Sequence, residues 1–195
     1  MECLYGEICN GFDVAFGHYL VRKKDGTIIN YYERRFKEVI SIDENYNFFD
    51  SNHEKRECWG ILFKKEILKT IRFNENISVA EDFLFVIQSF KQCNRVVYLA
   101  NTLYNYRELD ESLMHGSVDL KKATILNASK AIIDELNSYK DSLKTAFSYL
   151  AYNTADLFYK SWVAKKIDVW HYVNEFLSNN KRYYKRLKIT QNLRL

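Results

Sequence analysis

The spacing of apolar residues changes character near residue 115, and that change limits what the chain can fold into. Before it, short apolar runs alternate with turn signals. Leu4 and Ile8, four apart with Tyr5 beside them, predict a short helix over residues 1–10. Residues 12–23 are aromatic and β-branched and predict a strand. The tight-turn signal Lys24-Asp25-Gly26 and the run from Thr27 to Tyr32 then predict a hairpin. Residues 33–56 alternate charged and aromatic side chains without a clear period and read as loop with one helical turn. Trp59, Ile61, Leu62 and Leu68 fall at helical spacing. Arg72 to Val79 is short and polar, a loop or short strand. Phe83, Val86, Ile87 and Phe90 form one stripe, which predicts a mostly buried helix over Glu81 to Cys93. Arg95 to Tyr106 then reads as a strand.

Beyond that point the helical period takes over. Ser117 is the expected N-cap, with Asp119 in the first turn. Ile125, Ile132, Ile133 and Leu136 repeat in phase, followed by Leu143, Phe147, Leu150, Leu157 and Phe158. A third helix begins near Asp168 and uses Val169, Trp170, Val173, Phe176 and Leu177. The expectation is an α/β portion over residues 1–115 and a helical extension with a basic tail over residues 116–195.

Composition narrows the chemistry. Hydrophobic residues at 47% and aromatics at 16% place the chain in the folded, globular class. With no proline and six glycines, it cannot build a Gly-rich phosphate loop, which needs several glycines within a few residues. Cys3, Cys9, Cys58 and Cys93 form no Cys-x-x-Cys and have no histidine at ligand spacing, so they read as free thiols. No leader pattern and no apolar run of membrane-spanning length occurs, so the expected setting is reducing and cytoplasmic.

The acidic pair Glu81-Asp82 stands where a helix should begin. A carboxylate there is oriented and held ionised by the helix dipole and the free first-turn amides. It can take a proton from a hydroxyl as a new bond forms, a contribution typically of about 10²–10⁴ in rate. The same pair can also simply cap and charge-complement its helix.

The order around this pair carries a resemblance. An amphipathic segment from Trp59 to Leu68, a turn at Arg72 to Asn74, the acidic pair, a strand-like run, Tyr104-x-Tyr106-Arg107 and then Ser112 follow one another. Residues 59–112 so arranged resemble the second half of the catalytic domain of family-two glycosyltransferases, inverting enzymes of the GT-A type. The resemblance implies an incomplete GT-A-like (Rossmann-like) α/β domain followed by an α-helical C-terminal region. It implies transfer of a sugar from a nucleotide-sugar donor to an acceptor hydroxyl, in surface polysaccharide or glycolipid synthesis. By the same resemblance Asp82 is the catalytic base, Glu81 its acidic neighbour, and Trp59, on the acceptor side, Tyr106, Arg107 and Ser112 bind substrate; Trp59 reads equally as a core anchor, and Arg107 as an ion-pair partner of Glu81 or Glu108. His115 is a candidate metal ligand, and a divalent metal (manganese or magnesium) is expected for the complete enzyme. No Asp-x-Asp and no proline-containing uridine loop occurs in the 195 residues, so the donor-binding half is expected to be missing from this chain.

Charge is uneven. Residues 179–195 hold six basic side chains (Lys181, Arg182, Lys185, Arg186, Lys188 and Arg194) and no acidic one, leaving 23 basic against 25 acidic in the body. Tyr183 and Tyr184 lie among these cations, a mixture suited to anionic headgroups. The tail reads either as an ordinary solvated helix end or, as the resemblance implies, as a peripheral contact of residues 181–194 with the inner face of the plasma membrane; the resemblance also implies a carbohydrate or lipid-linked acceptor. The slightly acidic body, with no recognised binding motif, argues against nucleic acid. Two other classes remain open: a non-catalytic remnant acting as a binding module, and a basic-tailed membrane adaptor.

Overall fold

The computed structural model describes residues 2–30, 37–50, 55–107 and 117–192. They form two compact units. The first comprises residues 1–43, 55–72 and 85–116, and the second residues 44–54, 73–84 and 117–195. The second unit thus takes in two segments that the sequence alone assigns to the first part.

In chain order the elements are α1 (Glu2–Cys9), β1 (Val14–Arg22), β2 (Ile28–Asn30), β3 (Glu38–Ile40), β4 (Ile61–Phe63), α2 (Glu81–Phe90) and β5 (Val96–Arg107). The helices α3 (Leu120–Ala123), α4 (Ile125–Glu135), α5 (Lys140–Val163), α6 (Ile167–Asn179) and α7 (Lys181–Asn192) follow. The architecture is a mixed α/β sheet with a helical C-terminal region.

The first unit is built on the parallel pair β1 and β5. One edge of β1 is shared: β4 pairs antiparallel with Val14 to Phe16, and β2 with Leu20 to Arg22, completing the expected hairpin. On the far side, β3 pairs antiparallel with Val96 to Tyr98 of β5. Val14, Ala15, Phe16, Val96, Val97, Tyr98 and Leu99 are all buried, because helices cover both faces of this sheet. Leu4 and Ile8 of α1 pack with Phe12, Ala15, Leu62, Val97 and Leu99. On the opposite face Phe90 of α2 meets Phe16 (5.8 Å between ring centres) and Phe63 (6.5 Å).

Asp13 fixes where the parallel strands start. Its carboxylate oxygen Oδ2 accepts the amides of Asn94 (2.9 Å) and Arg95 (3.1 Å). Its own backbone donates to the Arg95 carbonyl and accepts from Lys64 at the end of β4, each at 2.8 Å. Beyond Leu99 the β1–β5 register shifts at Gly17/His18 and again at His18/Tyr19. His18, buried at that irregularity, lies 2.6 Å from the Tyr98 hydroxyl through Nδ1.

The second unit is a helical bundle with a core that includes Leu126, Ile132, Leu136, Leu150, Val169 and Val173. Phe48 belongs to it too: its amide donates to Ser142 Oγ (2.9 Å), and its ring meets Tyr139 edge-on. Asn153 donates to Ser129 (3.1 Å), satisfying two buried polar groups.

Four local expectations are corrected. Trp59–Leu68 is not a helix; it is a turn, the strand β4 and further turns. With both sheet faces covered, Leu62 and Phe63 are apolar in succession, and such a run cannot be told from a helix by period alone. Residues 33–56 contain the strand β3, too short to show alternation. Asp119, rather than Ser117, caps the first C-terminal helix: its backbone is extended and its Oδ1 accepts the Lys122 amide at 2.8 Å. Phe158, expected in the core, is exposed, while Leu157 and Ser161 point inward.

Candidate functional site

The acidic pair opens α2, as its sequence position predicts. Within the second unit this end is held firmly. Ile77 is buried, the Ser78 amide donates to Thr124 Oγ1 (2.9 Å), and the Phe83 ring packs edge-on against Phe49 (5.2 Å) and Tyr149 (6.4 Å). Ala80, immediately before the pair, has φ 64°, a left-handed conformation that costs a non-glycine residue about 1–2 kcal/mol. Its carbonyl accepts the Leu84 amide (3.2 Å), the first bond of the helix. A strained residue abutting two carboxylates is an arrangement found at functional sites. Burial, reinforced by the adjacent Asp82 charge, raises the Glu81 carboxyl above its ordinary range. Glu81 and Asp82 are each partly buried.

The first unit holds the aromatic residues. Beyond the register shifts, Tyr19 pairs with Tyr104, and Val21 with Tyr106, so these four share one sheet face. Trp59 stacks on Tyr104 (4.5 Å, 20° between planes) and Tyr106 (5.3 Å, 23°), and meets Tyr19 edge-on at 4.8 Å. Gly60 permits the approach, since it has φ 70° and a Cβ there would lie 3.3 Å from Tyr104 Cβ. Lys55 completes the cluster. It is buried, with Nζ 4.0 Å from the Trp59 ring centre and 3.3 Å from Glu57 Oε2. Trp59 thus packs on neighbours of its own unit at the strand ends.

Arg107 closes β5, exposed and in register with the equally exposed Arg22 of β1. The two cations share the sheet face opposite the aromatic cluster, at the carboxyl end of the parallel pair. Ser112 and His115 lie outside the described residues. Lys55 was not legible as a site residue, because the segment before it shows no period; the signal was a cation four residues ahead of Trp59.

Glu81 and Asp82 are adjacent, and among the described residues no group of three or more His, Cys, Asp or Glu side chains is placed to hold an ion; His115, the expected ligand, lies outside them.

Lys181–Asn192 of the basic tail form the helix α7, and Arg194 lies outside the described residues. Tyr183 is buried and donates to Asp134 Oδ1 (2.7 Å), and Tyr184 is hydrogen-bonded to Thr154 (2.8 Å between hydroxyls). Its tyrosines therefore serve the bundle. Arg182 and Arg186 border a hollow of about 280 Å³ beside Asp134 and Asn137. Among the described residues no helix is long and apolar enough to cross a membrane.

No family model matches the sequence, and no curated protein matches it. Among solved structures the chain is similar to the crystal structure of S. aureus TarS 1–349 in complex with UDP-GlcNAc, with a TM-score of 0.48 and 14% identity. The match covers 91% of this chain and 64% of that one. The chain thus spans less than two thirds of the matched structure's length. At this level the likeness assigns no residue a role.

Proposed function

We propose that this chain is the acceptor-side part of an inverting glycosyltransferase and that Asp82 is its general base. The observation that carries the reading is the acidic pair on the first turn of α2, set directly after the strained Ala80. The sequence order around it, from Trp59 to Ser112, supplies the reaction class by resemblance.

In the reaction proposed, a carboxylate oxygen of Asp82 takes the proton of an acceptor hydroxyl. The acceptor oxygen bonds to the anomeric carbon of the donor sugar as the bond from that carbon to the diphosphate breaks. The nucleoside diphosphate leaves with the bonding pair, and attack from the opposite side inverts the anomeric centre. Glu81, its carboxyl raised above the ordinary range by burial and then by the Asp82 charge, is the acidic neighbour of that base.

Arg107 is proposed to attract an anionic substrate group. Trp59 and Tyr106 act by fixing the end of β5 on which Arg107 stands. Ser112 and His115 keep the substrate and metal roles that the resemblance implies. A nucleotide sugar is the proposed donor, and a carbohydrate or lipid-linked hydroxyl the acceptor. The 195 residues contain no Asp-x-Asp, so the donor contacts of that motif are assigned to no residue of this chain.

The test is stereochemical. Proton NMR of the transfer product, formed from an α-linked nucleotide sugar, should show a β-linkage from the first turnover. An α-linked product would exclude the single displacement proposed for Asp82.

A further inference from the structure

The corner between α5 and α6, wholly within the second unit, carries an exposed apolar cluster. Tyr159, Trp162, Val163 and Ile167 are each more than half exposed, Trp162 at 70% and Ile167 at 68%. Trp162, Val163 and Ile167 border, with Lys165, Lys166 and Trp170, a groove of about 580 Å³. Contiguous exposed apolar surface of this kind marks an interaction site.

The corner is a firm turn. The Ala164 amide donates to the Lys160 carbonyl (2.9 Å), Lys165 to Trp162 (3.2 Å) and Lys166 to Ser161 (2.8 Å). With Lys165 left-handed at φ 54°, this is the Schellman closure of a helix end. Trp162 and Ile167 are thus held outward from two helix ends, which removes a loose loop as the reason for their exposure.

Charge decides the occupant. From Leu157 to Ile167 there are three lysines, Lys160, Lys165 and Lys166, and no acidic residue. Of the flanking acids, Asp156 pairs with Lys160 at 2.8 Å, and Asp168 lies in the first turn of α6. A second copy docked here across a two-fold axis would bring these cations into one small interface with their own counterparts. An anionic bilayer surface accommodates every part: Trp and Tyr rings at headgroup depth, the aliphatic side chains below them, and the ammonium groups at lipid phosphates.

We propose that the α5–α6 corner docks on an anionic bilayer surface, with Trp162, Val163 and Ile167 inserted and Lys165 and Lys166 at the headgroup phosphates. This reading stands apart from the sugar-transfer proposal and relocates the expected membrane contact away from the tail, whose tyrosines face the bundle.

Co-sedimentation of the full chain with phosphatidylcholine vesicles, with and without phosphatidylglycerol, tests it. Binding is expected only to the anionic vesicles and should weaken with salt. Trp162→Ser with Ile167→Ser should lower it at least tenfold. Lys165→Glu with Lys166→Glu, at exposed positions, should lower it by about tenfold or more, a lysine near such a surface being worth about fivefold. Thermal melts matching the parent chain confirm that both double variants are folded. Absence of binding, or loss on changing Lys181 and Lys185 but not on changing the corner, would overturn the proposal. So would a dimer in sedimentation velocity that Trp162→Ser dissociates while lipid binding persists.

Discussion

Replacing Asp13 by alanine tests how the first unit is stitched together. One carboxylate oxygen accepts two amides, from Asn94 and Arg95, at 2.9 and 3.1 Å. Hydrogen bonds to a charged acceptor contribute about 1.5–3 kcal/mol when buried. Asp13 is only partly buried, and the freed amides can turn to water, so the lower end applies to the pair together. The expected loss is about 2 kcal/mol. Asp13→Asn, which keeps a neutral acceptor, should lose about half as much. Urea unfolding followed by tryptophan fluorescence and by circular dichroism reads the difference as a shifted midpoint with an unchanged slope. A loss below about 0.5 kcal/mol for Asp13→Ala would refute the reasoning. It would mean that the backbone bonds of Asp13 and the apolar faces of β1 and β5 set the register alone.

Other substitutions probe separate points. Burial, with the Asp13 charge second, pushes the Cys93 thiol up to about 12; a thiol protonated longer in the folded state costs stability as pH rises above about 9 towards 12. The parent chain should therefore lose stability relative to Cys93→Ala over that window, at up to about 1.4 kcal/mol per pH unit, and parallel pH curves would contradict this. Glu81, raised by burial and then by Asp82, destabilises the folded chain when ionised. Glu81→Gln should thus gain stability at neutral pH, and the gain should vanish as pH falls below the ordinary carboxylate range; a pH-independent difference would count against it. Ala80→Gly should raise the unfolding free energy by about 0.5–1 kcal/mol, the left-handed cost less the entropy of glycine; a loss would show that φ 64° is not strained.

Elements with a strong period of their own were legible. The stripe at Phe83, Val86, Ile87 and Phe90 became α2, and the β-branched run from Val96 became β5. The three long C-terminal helices followed their apolar spacing in the same way. The acidic pair was legible for a related reason, since helix starts have their own chemistry. β4 was not, because a strand of three successive apolar residues is too short to display alternation. Trp59 read equally well as an acceptor wall or an anchor. Its stacking on Tyr104 and Tyr106 was not legible, because it depends on register shifts between β1 and β5 that no pattern announces. Tyr183 likewise seemed to belong to a basic tail until its bond to Asp134 placed it in the bundle.

The central claim is that Asp82 removes the acceptor proton during sugar transfer. Its most direct test is the turnover of the complete enzyme carrying Asp82→Asn, compared with the unsubstituted complete enzyme under the same donor and acceptor, with matching thermal melts. The account predicts a fall of at least about 10²-fold in kcat with little change in donor KM. Turnover within a few-fold of the unsubstituted enzyme would contradict it and return the acidic pair to a purely structural role.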